Sequence, residues 1–162
     1  MGESARFDRV GRHGRRHVVA LDAVHDAFVP GSWRHWNATL EALAAQQRVQ
    51  ADTPAQARAL LQFGRLIGNS DMHFGNLSLF VEPGGVARGR FTLAPLYDML
   101  PMHWRPDAIS GEIGLLPLTP DPADLASAAR PIAREFWERV TADSGVSRAF
   151  RALAGEMASR IG

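Results

Sequence analysis

The side chains best suited to chemistry in this sequence are Asp71, Asn76 and Asp98. Asp71 and Asn76 stand five positions apart, in a short loop between an apolar helix end and an apolar strand. Phosphoryl transfer needs a carboxylate that orients or deprotonates the attacking hydroxyl, and an oxygen ligand for a magnesium ion on the nucleotide phosphates. Asp71 and Asn76 have the spacing of that pair, and Asp98 could supply a second, acidic ligand to the metal.

Two elements are predicted to position these side chains. A helix is expected over 53–67, because Thr-Pro is a strong helix start and the apolar period continues to the loop. A β-hairpin follows, with strands predicted at 77–81 and 90–93. Because a hairpin brings its two ends together, Asn76 before the first strand and Asp98 after the second can meet at one magnesium ion.

Each of these residues also has an ordinary structural interpretation. An aspartate such as Asp71 often bonds the backbone of its own turn, and a loop asparagine such as Asn76 often adopts a left-handed conformation. Taken singly, either residue is better explained that way. Their combination with Asp98 after the following hairpin favours the catalytic interpretation.

Three separated segments, in the same order, resemble the HipA-like serine/threonine kinases, the toxins of bacterial toxin–antitoxin systems. They are LIGNSDMHFGNLSL at 66–79, LAPLYD at 93–98 and, more weakly, ARFDR at 5–9. The resemblance implies an α+β, mainly helical fold: a protein-kinase-like C-terminal lobe over 1–162, in which small β-hairpins carry the catalytic loop. Its parts would be a hinge-like strand at 5–10, the catalytic loop and metal hairpin at 66–100, and a helical scaffold at 121–162.

The resemblance also assigns roles to residues. Asp71 would be the catalytic base, and Asn76 and Asp98 would hold Mg²⁺, while ATP donates its γ-phosphate to a serine or threonine hydroxyl of a protein. Arg6 and Phe7 would lie on the hinge strand, whose backbone touches adenine in this family.

Two details around the loop bear on the same resemblance. His73 could take part in acid–base chemistry or hold the shape of the loop, and the resemblance implies that it stabilises the loop. The Asp-Met-Leu sequence that begins at Asp98 departs from the Asp-Phe-Gly of common kinases. That departure favours the HipA-like branch.

The basic residues are unusual, because all 18 are arginine and the chain contains no lysine. Kinases of this type hold the nucleotide phosphates with a strand lysine and cover them with a Gly-rich loop. The Gly-x-Gly-x-x-Gly spacing of such a loop is also missing from the sequence. We therefore expect a C-terminal lobe only, with the N-terminal lobe absent and the chain inactive by itself.

Composition narrows the class of protein and its partners. A hydrophobic fraction of 46% with 22% charged residues is typical of a globular protein, and a net charge of +1 gives no reason to expect nucleic acid. The lack of cysteine, of a signal peptide and of an apolar run of ~18 residues predicts a cytoplasmic protein without a membrane segment. The resemblance implies a protein substrate, and an antitoxin or a separate N-terminal lobe as a partner.

Two segments before the catalytic loop carry further predictions. A hairpin is expected over 5–22, and the arginines around its turn either attract phosphates or an acidic partner or form a solvated tip. Ser32 is predicted to cap a helix whose apolar stripe, including Trp33 and Trp36, is more typical of a core than of a binding surface.

The segment 99–120 is rich in proline and glycine and follows the predicted metal-binding aspartate. A kinase keeps its activation and substrate-binding segment at this point. The segment could therefore contact a peptide, with His103 and Trp104 as the most suitable residues, or it could be an ordered structural loop.

Three functions remain open on the sequence. The first is a HipA-like protein kinase lobe. The second is a phosphotransferase lobe with the same site that acts on a lipid or another small molecule. The third is a non-catalytic remnant or binding module, which the absence of lysine favours for the chain in isolation.

Overall fold

The computed structural model describes residues 6–32, 35–84 and 88–162. The chain divides into two compact units, and helix α3 (Thr53–Leu66) begins in the first and ends in the second. The first unit comprises Met1–Arg58 and His73–Asp98, and the second comprises Ala59–Met72 and Met99–Gly162.

The elements confirm an α+β protein with small antiparallel sheets and more helix than strand. Besides α3, the helices are α1 (Leu21–Phe28), α2 (Trp36–Ala45), α4 (Pro122–Leu125), α5 (Arg130–Ala142) and α6 (Arg148–Ile161). The strands are β1 (Arg9–Val10), β2 (Gly14–Arg15), β3 (Val18–Ala20), β4 (Ser78–Val81) and β5 (Phe91–Leu93). Within the described ranges, every helix is too short or too polar to cross a bilayer.

The main sheet of the first unit confirms the hairpin predicted after the catalytic loop. Strands β4 and β5 pair antiparallel, with Phe80 opposite Thr92, and β3 adds to the other edge of β4. The apolar side chains of β4, including Leu79 and Phe80, are buried. Helix α1 starts directly after β3, and its first residue, Leu21, donates a 2.8 Å backbone bond to Leu77 before β4.

The hairpin predicted over 5–22 is correct at its turn and wrong in its second strand. Arg9 pairs with Arg15 across the turn, so the short strands β1 and β2 form a sheet of their own. The apolar segment Val18–Ala20 instead pairs with β4, where it finds a buried neighbour. The arginine-rich hairpin stays exposed because it has little apolar surface to bury.

Helix α2 begins later than the sequence suggested. His35, not Ser32, is its N-cap, and the His35 Nδ1 atom accepts a 3.2 Å bond from the Ala38 amide. Trp36 is buried, which confirms the core interpretation of that side chain. Trp33 lies outside the described residues.

The core of the second unit is built around Trp104 and Trp137, whose rings meet edge to face with their centroids 5.4 Å apart. Helices α5 and α6 pack against each other, and the end of α3 joins the same core through Leu66 and Ile67. The predicted caps Asp121 and Ser147 are confirmed, because each side chain accepts a backbone amide of the helix that it precedes. Scaffold helices at 121–162 are therefore present.

Candidate catalytic site

The loop that carries Asp71 leaves the end of α3 in the second unit. Gly68 has a φ of +72°, a left-handed conformation that turns the chain out of the helix. The next residue, Asn69, is buried, and its amide donates a 2.8 Å bond to the Gly64 carbonyl. Asp71 itself is exposed to solvent.

The side chain of Asn69 holds the backbone at Asp71. Its Oδ1 atom accepts a 2.8 Å bond from the Asp71 amide. Its Nδ2 atom donates to the Met99 sulfur at 3.0 Å. Because Asn69 is buried and bonded at both ends of its amide, it fixes the start of the loop relative to the helix.

Gly64 lets the other side of this loop approach the helix. A methyl group added at Gly64 would overlap the Met72 sulfur and lie close to that of Met99. Glycine in a helix lowers stability by roughly 1 kcal/mol relative to alanine. At position 64 its lack of a side chain leaves room for the side chain of Met72, the residue after Asp71.

In the first unit, His73 shapes the turn that carries Asn76. The His73 Nδ1 atom accepts a 3.0 Å bond from the Gly75 amide, and the His73 carbonyl accepts the Asn76 amide at 3.0 Å. The indole of Trp36 also donates to that carbonyl at 3.1 Å. These contacts form a short 3-10 turn at Phe74–Asn76, in which Asn76 is half-buried.

Asp98, in the same unit, has a strained backbone next to a well-anchored tyrosine. Its φ of +53° is uncommon for a residue with a side chain, and such conformations cluster at functional sites. The hydroxyl of the preceding Tyr97 donates to the Gly75 carbonyl at 2.6 Å and lies 2.7 Å from the Ser78 hydroxyl. The structure thus joins the residues adjacent to Asn76 and Asp98, while Asp71 belongs to the other unit.

Asn76 and Asp98 carry the oxygen atoms that could hold Mg²⁺ in the presence of a nucleotide. Carboxylate and amide oxygens are ligands that this ion accepts, and Mg²⁺ is usually held by one or two carboxylates plus substrate phosphates and water. In the part of the chain that the structure describes, no three His, Cys, Asp or Glu side chains cluster as a metal site. A metal held by these two residues would therefore depend on the phosphates for further ligands.

Arg6 and Phe7, predicted to lie beside adenine, use their side chains within the protein. Arg6 donates bonds of 2.9 and 2.7 Å to Asp8, and these bonds lower the pKa of the Asp8 carboxyl. The Phe7 ring stacks on Tyr97, with centroids 5.8 Å apart, and meets Phe80 edge to face. Arg6 and Phe7 precede β1, so the hinge-like strand predicted at 5–10 is present only at Arg9–Val10 among the described residues. Their contact with adenine stays a prediction.

Of the two residues considered for substrate contact, Trp104 is excluded. It is buried in the core of the second unit, and its indole donates to the Leu116 carbonyl at 2.8 Å. His103 is exposed at the rim of a surface cavity. Sequence reasoning assigned no role to Asn69, Ser78 or the Tyr97 hydroxyl. The one feature that could have indicated the role of Tyr97 is that the chain's single tyrosine directly precedes Asp98.

Comparison with known proteins identifies the family. The sequence-family model of the HipA-like C-terminal domain matches residues 4–161, and this chain therefore belongs to that family. Among curated proteins it is similar to Toxin YjjJ of Escherichia coli (strain K12), with 40% identity over 167 residues. The match covers 98% of this chain and 35% of the relative, so the chain spans about a third of the relative's length.

Proposed function

We propose that this chain is the catalytic lobe of a HipA-like serine/threonine protein kinase, which transfers the γ-phosphate of ATP to a protein hydroxyl. We further propose that the whole protein is a toxin of a toxin–antitoxin system, with a protein substrate and an antitoxin as partners, acting in the cytoplasm. Family membership and the name of the E. coli relative support the toxin assignment.

Asp71 is the proposed base in this reaction. It accepts or orients the proton of the attacking serine or threonine hydroxyl, which makes that oxygen a better nucleophile. The exposed carboxylate suits the role, and the buried Asn69 limits the positions that it samples. His73 acts through the fold of its turn and not as an acid or base, because its Nδ1 atom already accepts the Gly75 amide.

Asn76 and Asp98 are the proposed ligands of Mg²⁺. When bound, the ion neutralises charge on the ATP phosphates during transfer. The bond from the Tyr97 hydroxyl to the Gly75 carbonyl is the observation that carries this proposal, because it connects the residues next to both ligands. A preorganised pair of oxygens binds the ion without first having to order the two segments.

A phosphate-transfer assay tests the proposal. A chimaeric protein, in which the N-terminal part of the E. coli relative precedes this chain, is incubated with γ-labelled ATP and a bacterial protein extract. We expect labelled protein from the unaltered chimaera. With Asp71→Asn we expect the rate of transfer to fall at least about a hundred-fold, because a positioned base contributes about 10²–10⁴-fold to the rate.

The matched control is Asp52→Asn, at an exposed aspartate just before α3 whose side chain accepts a 2.9 Å bond from Gln56 of that helix. It should leave the rate unchanged. Transfer that survives Asp71→Asn would remove the base from the mechanism. Label that appears only on lipid or small molecules would favour a different phosphotransferase.

A further inference from the structure

A surface cavity of about 480 Å³ in the second unit lies against the catalytic loop. Asn69 and Ser70, the two residues before Asp71, line one side of it. His103 and the segment 118–120 line another side, and they belong to the stretch that follows the predicted metal-binding aspartate. The volume lies within the range of about 300–1,000 Å³ that is usual for ligand sites.

The cavity contains a carboxylate that the proposed mechanism does not use. The side chain of Asp124 is only 5% exposed, and it lines the cavity. Among the described residues its one ionic partner is Arg65, whose Nη1 atom lies 3.7 Å from the Asp124 Oδ1 atom. A charge-assisted hydrogen bond measures about 2.7–2.9 Å, so this carboxylate is incompletely compensated.

The balance of charge in the lining favours a positively charged ligand. The lining contains two carboxylates and one guanidinium. Asp121 caps α4 by accepting the Ala123 amide, and Asp124 is paired only loosely with Arg65, whose side chain is 57% exposed. Burial raises the pKa of the Asp124 carboxyl, and the attraction of Arg65 offsets this effect only in part. A second cation in the cavity would stabilise the ionised carboxylate and complete its coordination.

We infer that this cavity binds an arginine or lysine side chain of the protein substrate, close in sequence to the hydroxyl that is phosphorylated. The inference rests on the proposed kinase function for the nature of the ligand. Ser70 connects the two sites, because it lines the cavity and directly precedes the proposed base. Substrate choice would then depend on a basic residue near the target serine or threonine.

Peptide binding tests the inference without any need for ATP. Fluorescence anisotropy measures the affinity of the 162-residue chain for labelled serine-centred peptides that carry one arginine at varied positions. Each peptide is paired with its citrulline counterpart, which keeps the shape of arginine and removes the charge. At one or more positions we expect arginine to bind about tenfold more tightly than citrulline, since a partly buried charge pair has that order of effect.

Three variants locate the effect. Asp124→Asn should abolish the preference for arginine, and Arg65→Gln should increase it, because the internal competitor for Asp124 is removed. Glu135→Gln, on the exposed face of α5, removes the same charge outside the cavity and should change nothing. If Asp124→Asn does not fold, the citrulline comparison and the gain with Arg65→Gln still decide the question.

Equal binding of arginine and citrulline peptides, or a preference that persists in Asp124→Asn, would overturn the inference. The proposed function fails separately. Loss of phosphate transfer in the chimaeric protein, with the arginine preference intact, would reject the kinase assignment and leave a site for basic peptides. Normal transfer without any arginine preference would reject only the role of the cavity.

Discussion

Asn69 connects helix α3 to the loop of the proposed base through three hydrogen bonds. Its backbone amide bonds Gly64, and the two ends of its side chain bond the Asp71 amide and the Met99 sulfur. By holding the Asp71 amide, Asn69 limits where the Asp71 carboxylate can lie. We therefore regard Asn69 as a positioning residue.

Replacement of Asn69 by alanine should increase the mobility of the loop at Asp71 while the protein stays folded. We expect Asn69→Ala to lower the free energy of unfolding by roughly 1–3 kcal/mol, because a buried amide is left without its partner. Faster hydrogen exchange at the Asp71 amide would report the local effect. Asn37→Ala is the control and should change neither quantity, because the half-buried Asn37 donates a long 3.4 Å side-chain bond to Glu41 on its own helix and lies outside the loop.

Tyr97 offers a second test at the residue scale. Tyr97→Phe keeps the ring that stacks on Phe7 and removes only the hydroxyl that bonds Gly75. We expect Mg-ATP to bind the chimaeric protein about three- to tenfold more weakly, since a net hydrogen bond contributes about 0.5–1.5 kcal/mol. Ser78→Ala removes the neighbouring hydroxyl but keeps the bond to Gly75, so it should have the smaller effect. Equal losses in the two variants would argue against a role for the Gly75 bond.

At the scale of elements, the end of α3 depends on the helices that follow it in the second unit. The indole of Trp137 on α5 is fully buried and donates to the Leu66 carbonyl at 3.2 Å, at the last residue of α3. Trp104 and Phe150 pack against the same ring. Packing at this point supports the helix end from which the catalytic loop departs.

Trp137→Ala should therefore be strongly destabilising. We expect a loss of about 3–5 kcal/mol in the free energy of unfolding, measured by chemical denaturation, because a large cavity replaces the ring. Ile132→Ala on the same helix is the control: its side chain is mostly exposed, and the change should stay within about 0.5 kcal/mol. A small effect of Trp137→Ala would mean that the aromatic core repacks around the gap.

The loop at 107–111 should respond to acid. Asp107 accepts bonds from the amides of Ile109 and Ser110 and from the Ser110 hydroxyl, and these bonds lower the pKa of its carboxyl. A lowered pKa means that the stabilisation is present above the ordinary value of about 3.9 and is lost as the pH falls through the folded-state pKa.

We expect the protection of the Ile109 and Ser110 amides from hydrogen exchange to decrease at acid pH. Asp107→Asn keeps a side-chain acceptor that does not titrate, so its protection should be independent of pH over the same range. Acid-dependent protection that survives in Asp107→Asn would assign the effect to another group.

For the molecule as a whole, local patterns in the sequence predicted the elements well. The Thr-Pro start of α3, the hairpin of β4 and β5, and the caps Asp121 and Ser147 are all confirmed, because each depends on residues close together in the chain. The predicted cap Ser32 failed although it is a local feature, and two other predictions failed because they depend on distant partners. The strand at 18–20 pairs with β4 because of burial that the hairpin pattern cannot show, and Trp104 is buried by α5 and α6.

The candidate site was predicted from equally local features. The residue types of Asp71, Asn76 and Asp98 and the intervals between them are visible in the sequence, and their catalytic and metal-binding roles stay predictions. The bonds that hold them, from Asn69 and Tyr97, depend on side-chain contacts made only after folding, and no spacing rule reveals them.

Calorimetric titration with Mg-ATP tests the central claim most directly. It compares the 162-residue chain, the chimaeric protein with the N-terminal part of the E. coli relative, and Asp98→Ala in the chimaera. We predict that the chain alone shows no measurable binding, because it has no lysine or Gly-rich loop to hold the phosphates. We predict that the chimaera binds Mg-ATP and that Asp98→Ala greatly weakens this binding. A folded chimaera that fails to bind, or one that binds equally well without Asp98, would contradict the assignment of this chain as a kinase lobe with its metal site.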